Sequence, residues 1–265
     1  VYRGNLRKMS SQLGDTVQYS LTLGEDTFLV NDWIGKPIKL AFQGEINCRI
    51  CGRKTNKSYG QGFCFPHFQK APENSPCIIR PELCEGHLGN GRDPEWEQTH
   101  HVKPHVVYLA LTSGVKVGVT RHDQVPTRWI DQGAWKAVQI ANVPYRRLAG
   151  EIEVALKDHM SDKTNWRKML SNQMNTELDL AEEIEKAQSL LPAEYQEYIV
   201  PQSEITEITY PVEAYPEKVK SLKLDKIPEI TGTLQGIRGQ YLILDEGRVI
   251  NLRSHTSYLI EWSAG

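Results

Sequence analysis

The sequence predicts an α+β protein in which a cysteine-rich module and a mixed α/β core lie between two strand-forming ends. Three observations support this prediction. Apolar and polar positions alternate at residues 17–21 and 38–42, as in half-buried strands. Strand-like segments return between residues 230 and 260. Between these ends, all five cysteines fall within residues 48–84, and strand and helix patterns alternate after residue 106.

Each terminal segment has few strands, and an isolated pair of strands is marginally stable. We therefore expect the strands of residues 1–46 and 217–265 to pair with each other into one small β-barrel or sheet. The cysteine-rich module occupies residues 47–105 and the mixed core residues 106–172. An acidic helix and a Pro-rich connection occupy residues 173–216.

The charge of the chain is unevenly distributed. The net charge is −2, so the molecule as a whole is not an electrostatic binder of nucleic acid. Residues 48–70 nevertheless carry five Lys/Arg and no acid, and residues 103–172 carry eleven Lys/Arg against six acids. Residues 174–216 reverse the balance, with ten acids. A local basic surface can therefore coexist with a nearly neutral total.

Cysteine use and hydropathy indicate the compartment. An odd, clustered set of cysteines favours metal binding over a disulfide framework. No apolar run approaches the ~18–20 residues needed to cross a bilayer. Residues 1–4 lack the apolar core of a signal peptide. We expect a cytoplasmic protein in a reducing environment, with no membrane partner.

The most specific motif is a set of four metal ligands, Cys48, Cys51, Cys64 and His67. They form two pairs, each with two intervening residues, and twelve residues separate the pairs. This spacing is typical of a closed tetrahedral zinc site with three thiolates and one imidazole. The basic and aromatic residues of the connecting loop suit phosphate contact and base stacking. They could equally form a small core with solvated charges.

A second metal set follows the first. We expect its ligands to be Cys77, Cys84, His87 and His101. Two alternatives stay open: one site shared by both sets, or a second site completed by His105. A purely structural interpretation is two buried free cysteines beside surface histidines. The prediction is one or two structural Zn²⁺ ions per chain.

Short motifs with nuclease-like spacing lie between residues 106 and 170. They are Val107-Tyr108-Leu109, Lys116-Val117-Gly118-Val119-Thr120, Arg128, Glu153, Leu156, Asp162 and Trp166. This segment resembles the core of the GIY-YIG nuclease superfamily, and more closely its phage-type branch. The whole chain also resembles an uncharacterised bacterial zinc-cluster family, a domain of unknown function that couples such a segment to two cysteine clusters. That second likeness implies no established activity.

The nuclease resemblance implies a site that cleaves phosphodiesters. Tyr108 would help activate water, Arg128 would bind the phosphate, and Glu153 would hold one Mg²⁺ or Mn²⁺. Lys116 stands where the superfamily has its second tyrosine, and could bind phosphate or stabilise charge. For Glu153, the structural alternative is a buried ion pair with Arg128.

Together these observations predict a zinc-containing protein that binds DNA or RNA and cleaves it with Mg²⁺ or Mn²⁺. The alternative is a non-catalytic, zinc-dependent protein that binds RNA or DNA, for example on the ribosome. The replacement of a tyrosine by Lys116 favours that alternative. A third hypothesis is a protein-interaction scaffold in which zinc only stabilises the fold.

Overall fold

The computed structural model describes residues 1–157, 159–160 and 165–265. Within them the chain is a mixed α+β structure with an eight-stranded, a four-stranded and a three-stranded sheet. The strands are β1 (Tyr2–Asn5), β2 (Ser10–Gln12), β3 (Gln18–Leu23), β4 (Asp26–Leu29), β5 (Pro37–Asn47), β6 (Lys54–Thr55), β7 (His105–Leu111), β8 (Val115–Arg121), β9 (Lys136–Val143), β10 (Thr206–Glu207), β11 (Lys220–Ser221), β12 (Glu229–Arg238), β13 (Tyr241–Leu244), β14 (Arg248–Asn251) and β15 (Tyr258–Ala264).

Helices fill the connections between the sheets. The α-helices are α1 (Phe65–Lys70), α2 (Pro94–His100), α3 (Thr127–Asp131), α4 (Arg146–Lys157), α5 (Trp166–Leu170) and α6 (Leu180–Leu190). Short 3-10 helices occur at Val30–Trp33, Pro72–Asn74, Pro76–Ile78, Pro81–Leu83, Gly86–Leu88, His122–Gln124, Ala193–Tyr198, Asp245–Gly247 and Leu252–His255. Of the helices described, none combines the length and apolar character needed to span a membrane.

The largest sheet joins the two ends of the chain. Its order is β1-β15-β5-β12-β13-β14-β11, with β6 paired to β5. β5 is central, and Leu40 lies opposite Trp262 on one side and Ile230 on the other. Among the strands described, the sheet ends at β1 and at the two-residue β11 without closing, so the barrel option is wrong. β1 and β5 pair with C-terminal strands as expected, whereas β2, β3 and β4 form the separate three-stranded sheet.

The core after residue 105 is the second sheet, with order β10-β9-β7-β8. β7 is central and buried along its whole length, which explains its nearly continuous apolar sequence. Helix α4 covers this sheet with an apolar stripe that includes Leu148, Ile152 and Leu156. Gly150 of α4 lies against the main chain of Pro81 and Glu82, where a Cβ would clash. The glycine therefore lets α4 dock directly on the cysteine-rich module.

A buried arginine ties the core to the C-terminal strands. Arg238 is 1% exposed, and its guanidinium donates to the carbonyls of Gly133 and Met169 at 3.0–3.1 Å. Gln240 donates to Asp131 Oδ1 at 2.8 Å. These bonds fix the end of α3, which carries Arg128, against the hairpin of β12 and β13.

The acidic helix begins later than the sequence suggests. The spacing of Thr176 and Asp179 predicts a capping box, but α6 starts at Leu180 and Asp179 is its N-cap. The Asp179 carboxylate accepts a hydrogen bond from the Ala181 N–H at 2.8 Å. A carboxylate caps a helix directly in this way without a threonine.

Candidate metal clusters and basic cavity

The first predicted ligand set comes together at the end of β5. One ligand atom from each of Cys48, Cys51, Cys64 and His67 lies within 4.8 Å of all the others. The Sγ atoms of Cys48 and Cys64 lie 3.4 Å and 3.3 Å from Nδ1 of His67. Donors arranged tetrahedrally around one zinc ion would be roughly 3.3–3.8 Å apart. The donor set therefore fits a single metal ion, and we call it the first cluster.

The backbone prepares Cys48 as a ligand. Its N–H donates to the Arg53 carbonyl at 2.9 Å, and the Gly52 N–H donates back to Cys48 at 2.8 Å, closing a tight turn. Burial opposes ionisation of the thiol, but backbone N–H groups of Cys51, Cys64 and Ile50 outweigh it and lower the Cys48 pKa to about 6. A thiol with so low a pKa is a ready thiolate ligand at neutral pH.

The second cluster consists of Cys77, Cys84, Glu97 and His101, all buried. Nδ1 of His101 lies 3.5 Å from Cys84 Sγ and 3.8 Å from Cys77 Sγ, and it also contacts Oε2 of Glu97. Glu97 and His101 are four residues apart along α2 and its C-terminal cap, so both side chains lie on one helical face. This donor set can also hold one metal ion.

The composition of the second cluster corrects the expected ligands. His87 is not part of the group, because its ring stacks on Tyr145 with centroids 4.5 Å apart. Glu97 takes that place, whereas the expected set contains only cysteines and histidines. Its position four residues before His101 was the available signal. His105 also lies elsewhere, with its Nδ1–H donating to the Lys103 carbonyl at 2.7 Å.

The electrostatics of the second cluster favour a bound cation. The hydrogen bond between the two thiols raises the pKa of Cys77 and, against the effect of burial, lowers that of Cys84 to about 4. Burial raises the pKa of Glu97. Two thiols and a carboxyl group this close cannot all ionise in a buried site unless a cation compensates their charge.

A cavity of about 940 Å³ lies beside these clusters. Residues from the cysteine-rich module, the core and both ends of the chain line it. Among the lining residues described, nine are Lys or Arg and three are Asp or Glu. Besides Lys116 and Arg128, the basic residues are Arg7, Lys8, Arg49, Arg121, Arg146, Lys157 and Arg253. We call this space the basic cavity.

Several arginines in the basic cavity repel one another. Burial and the charge of Arg49 lower the pKa of Arg7. Burial and the charge of Arg128 lower the pKa of Arg253. Both effects disfavour the charged form of the guanidinium, which a bound polyanion would stabilise. The cavity is therefore electrostatically suited to a ligand with several negative charges.

All four residues predicted to be catalytic line the basic cavity: Tyr108, Lys116, Arg128 and Glu153. Tyr108 lies in the middle of β7, directly opposite Gly118 of β8. A Cβ at position 118 would lie 2.5 Å from Oη of Tyr108. Glycine is therefore needed there for the tyrosine to lie across the neighbouring strand and reach the cavity.

The Tyr108 hydroxyl donates a hydrogen bond to Oε1 of Gln132 at 2.9 Å. Burial raises the pKa of Tyr108, and the charge and hydrogen bond of Arg128 partly offset this rise. The phenol is therefore neutral at physiological pH and lies beside a guanidinium.

Glu153 on α4 is 7% exposed and forms an ion pair with Lys157, with Oε1 and Nζ 3.2 Å apart.

The predicted motif includes two further residues, Asp162 and Trp166. Asp162 is outside the described residues. The Trp166 ring stacks on Tyr241 with centroids 5.7 Å apart, so this tryptophan joins α5 to the C-terminal sheet.

Sequence reasoning did not anticipate the position of Arg146. Its guanidinium donates twice to the Cys77 carbonyl and once to the Ile78 carbonyl, all at 3.0 Å, and it lines the basic cavity. Arg146 thus connects the second cluster physically to the cavity. The Arg146-Arg147 pair was the available signal, but a pair of arginines is common on protein surfaces.

The fold and the two clusters define an α+β protein with two candidate metal-binding sites beside a basic cavity. Residues 35–260 match a family described as a protein of unknown function (DUF2797), and the chain belongs to that family. This confirms the predicted membership of an uncharacterised family. No curated protein and no solved structure matches the chain. The likeness to GIY-YIG nucleases stays a prediction.

Proposed function

We propose that this protein binds nucleic acid in the basic cavity and cleaves its phosphodiester backbone with the aid of Mg²⁺ or Mn²⁺. One observation carries the proposal: Tyr108, Lys116, Arg128 and Glu153 line a single cavity in which basic residues outnumber acidic ones by nine to three. Cleavage of a phosphodiester requires a positioned water, positive charge at the phosphate and stabilisation of the leaving oxygen. We assign each of these requirements to residues that line the cavity.

The roles follow from the contacts. Because the Tyr108 O–H donates to Gln132 and its oxygen accepts from Arg128, one lone pair remains to accept a hydrogen bond from the attacking water. Arg128 would bind two phosphate oxygens, which suits the planar guanidinium. Lys116 would add charge at the same phosphate. Glu153 would hold the Mg²⁺ or Mn²⁺, which would supply Lewis acidity and neutralise developing charge.

We further propose that both clusters hold zinc as a structural ion. Cysteine, histidine and glutamate are all common zinc ligands, and closed four-ligand sites are typical of structural zinc. Burial of the second cluster supports this role, because no coordination position would be open to substrate. Zinc would order the cysteine-rich module, which has little regular secondary structure. A reducing compartment such as the cytoplasm suits these free thiols.

One alternative function has specific support. Lys157 already neutralises Glu153 at 3.2 Å, and a lysine occupies position 116. The Lys157 ammonium beside the Glu153 carboxylate weakens the attraction of that carboxylate for a divalent cation. In the alternative, the basic cavity grips RNA or DNA, for example structured RNA of the ribosome, without cutting it.

A cleavage assay separates these functions. Wild type, Arg128→Ala and Glu153→Gln would be incubated with single- and double-stranded DNA and RNA in Mg²⁺, Mn²⁺ or chelator. Arg147→Ala and Glu151→Gln are matched controls, because those side chains pair with each other elsewhere on α4 at 2.8 Å. We expect cleavage that requires the divalent ion, is lost in both test variants and persists in both controls.

Two other results of these measurements would lead to different conclusions. Salt-dependent binding that Arg128→Ala weakens, with no cleavage by the wild type, would establish the binding function and exclude the nuclease. Absence of salt-dependent affinity for every nucleic acid tested would contradict both functions and favour a protein-interaction scaffold.

A further inference from the structure

A second, smaller groove lies on the loop that carries the first cluster. Its volume is about 330 Å³, and its lining includes Lys54, Lys57, Tyr59, Cys64 and Phe65. We propose that this groove holds bases of a single-stranded nucleic acid. The inference concerns a surface distinct from the basic cavity. It shares with the proposed function only the class of partner, and it requires no cleavage.

Exposed aromatic rings support the proposal. Phe65 and Phe68 lie on the short helix α1, and their side chains are 50% and 38% exposed. Tyr59 packs against both, with ring centroids 5.5 Å and 5.9 Å away. The three rings form a continuous aromatic surface that is only partly covered. Unpaired bases stack on such surfaces because every base has a π-face.

The charge around the rings is complementary to a nucleic-acid backbone. Arg53, Lys54 and Lys57 line the groove, and none of the described lining residues is acidic. The Lys57 Nζ lies 5.4 Å from the centroid of the Tyr59 ring, so a cation is next to the stacking surface. Lys54 pairs with Glu45, with Nζ and Oε1 3.2 Å apart. Bases could stack on the rings while phosphates contact Lys57 and Arg53.

The first cluster would fix the rings in place. Cys64 is a candidate ligand and immediately precedes Phe65, and Cys64 itself contributes to the groove. Tyr59 and Phe63 exchange two backbone hydrogen bonds of 3.0 Å and 2.8 Å, which close the loop. A rigid aromatic surface loses little conformational entropy when a ligand binds. The groove is thus preorganised rather than a chance exposure of side chains.

A single strand fits this surface better than a duplex. Bases in a duplex are stacked on one another and present only their edges, so they cannot cover an aromatic ring. Arg49 and Gln61 of the same loop line the basic cavity. One strand could therefore contact both surfaces of the loop.

The test measures stacking directly in the full-length chain. A single strand of about 12 nucleotides, as RNA and as DNA, would carry the fluorescent base 2-aminopurine, whose emission falls on stacking. The test variants are Phe65→Ala and Lys57→Gln. The controls are Ile227→Ala and Lys226→Gln, exposed positions distant in sequence from the groove.

We expect wild type and both controls to quench the probe equally. Phe65→Ala should lose the quenching and bind the strand about fivefold or more weakly. Lys57→Gln should reduce the affinity and the slope of its salt dependence. A matching duplex should bind with no dependence on Phe65. Equal behaviour of RNA and DNA would indicate general single-strand binding, and a difference would identify the preferred strand.

The proposal is overturned if both test variants, with normal metal content and melting temperature, bind and quench like wild type. It is also overturned if duplex binding depends on Phe65 as strongly as single-strand binding. Failure of the nuclease proposal gives a different result. Stacking would then depend on Phe65 while no variant cleaves, and the present inference would stand.

Discussion

The Tyr108 hydroxyl and the Gln132 side chain lie 2.9 Å apart across the wall of the basic cavity, with Tyr108 as the donor. Tyr108 comes from the central strand β7, whereas Gln132 follows α3, the helix that carries Arg128. One hydrogen bond therefore sets the direction of the phenol O–H relative to the arginine that would bind phosphate. The orientation of this hydroxyl depends on Gln132.

Removal of the Gln132 amide should impair the proposed cleavage while leaving the proposed affinity for nucleic acid largely intact. We expect Gln132→Ala to lower kcat about tenfold or more, since misoriented proton-transfer groups lose much of their ~10²–10⁴-fold contribution. The free energy of unfolding should fall by about 1 kcal/mol, because one buried hydrogen bond is lost. Steady-state kinetics and urea denaturation measure the two effects. Gln124→Ala, from the same cavity wall, is the control. Equal kcat for both variants would contradict the orienting role of Gln132.

A methyl group at position 118 should destabilise the core. The added Cβ of Gly118→Ala would lie 2.5 Å from Oη and 2.6 Å from Cζ of the fully buried Tyr108. Overpacking of this kind costs about 1–3 kcal/mol of unfolding free energy. Gly114→Ala is the matched control in the same hairpin, because its Cβ would meet none of the described atoms within 4 Å. Thermal melts that shift equally for both variants would show that Tyr108 can move aside.

Metal analysis should distinguish the second cluster from the ligand set that the sequence predicts. We expect Glu97→Gln to lower the metal content per chain and the melting temperature, because it removes one donor from a buried site. Glu95→Gln, on the same helix, and His87→Ala should retain full metal content. Elemental analysis of protein purified without chelator gives the stoichiometry. Loss of metal from His87→Ala but not from Glu97→Gln would restore the original assignment.

The first cluster has its own test in Cys51. We expect Cys51→Ser to reduce metal content and melting temperature together, since a hydroxyl is a poor substitute for a thiolate. Cys51 is exposed, so the loss of packing is small and the effect reports on metal binding. An unchanged melting temperature in metal-free wild-type protein would contradict a structural role for the ion.

Acid should destabilise the protein through His105. Burial lowers its pKa from the ordinary 6.5 to about 3, and the nearby Arg146, His101 and Arg121 add to this effect. Between these two pKa values, the unfolded chain binds a proton at His105 that the folded chain does not. The contribution of His105 to the free energy of unfolding is therefore complete above pH 6.5 and is lost as the pH falls toward 3. Urea denaturation across this range should show a smaller pH slope for His105→Phe than for wild type.

Features set by local spacing could be predicted from the sequence, whereas those set by tertiary contact could not. The first ligand set could be predicted because short turns hold Cys48, Cys51, Cys64 and His67. Ligands in such turns have a characteristic spacing in the sequence. Glu97 was missed because carboxylates are common and only α2 brings it toward Cys77. Strand pairing between the chain ends was predicted because each terminal segment has too few strands to be stable alone, but the open edge at β11 depends on a two-residue strand with no sequence signal.

The basic cavity shows the same division. Arg128 and Lys116 belong to a local motif and were predicted as site residues. Arg7 and Arg253 join them only because β15 pairs with both β1 and β5. Such a contact between distant segments depends on loop closure rather than on local pattern.

The pairing of β15 also fixes the order of events during biosynthesis. Arg7 leaves the ribosome long before Arg253, and domains generally fold as units once their segments have emerged. The wall of the basic cavity cannot be completed until β15 is free to insert between β1 and β5.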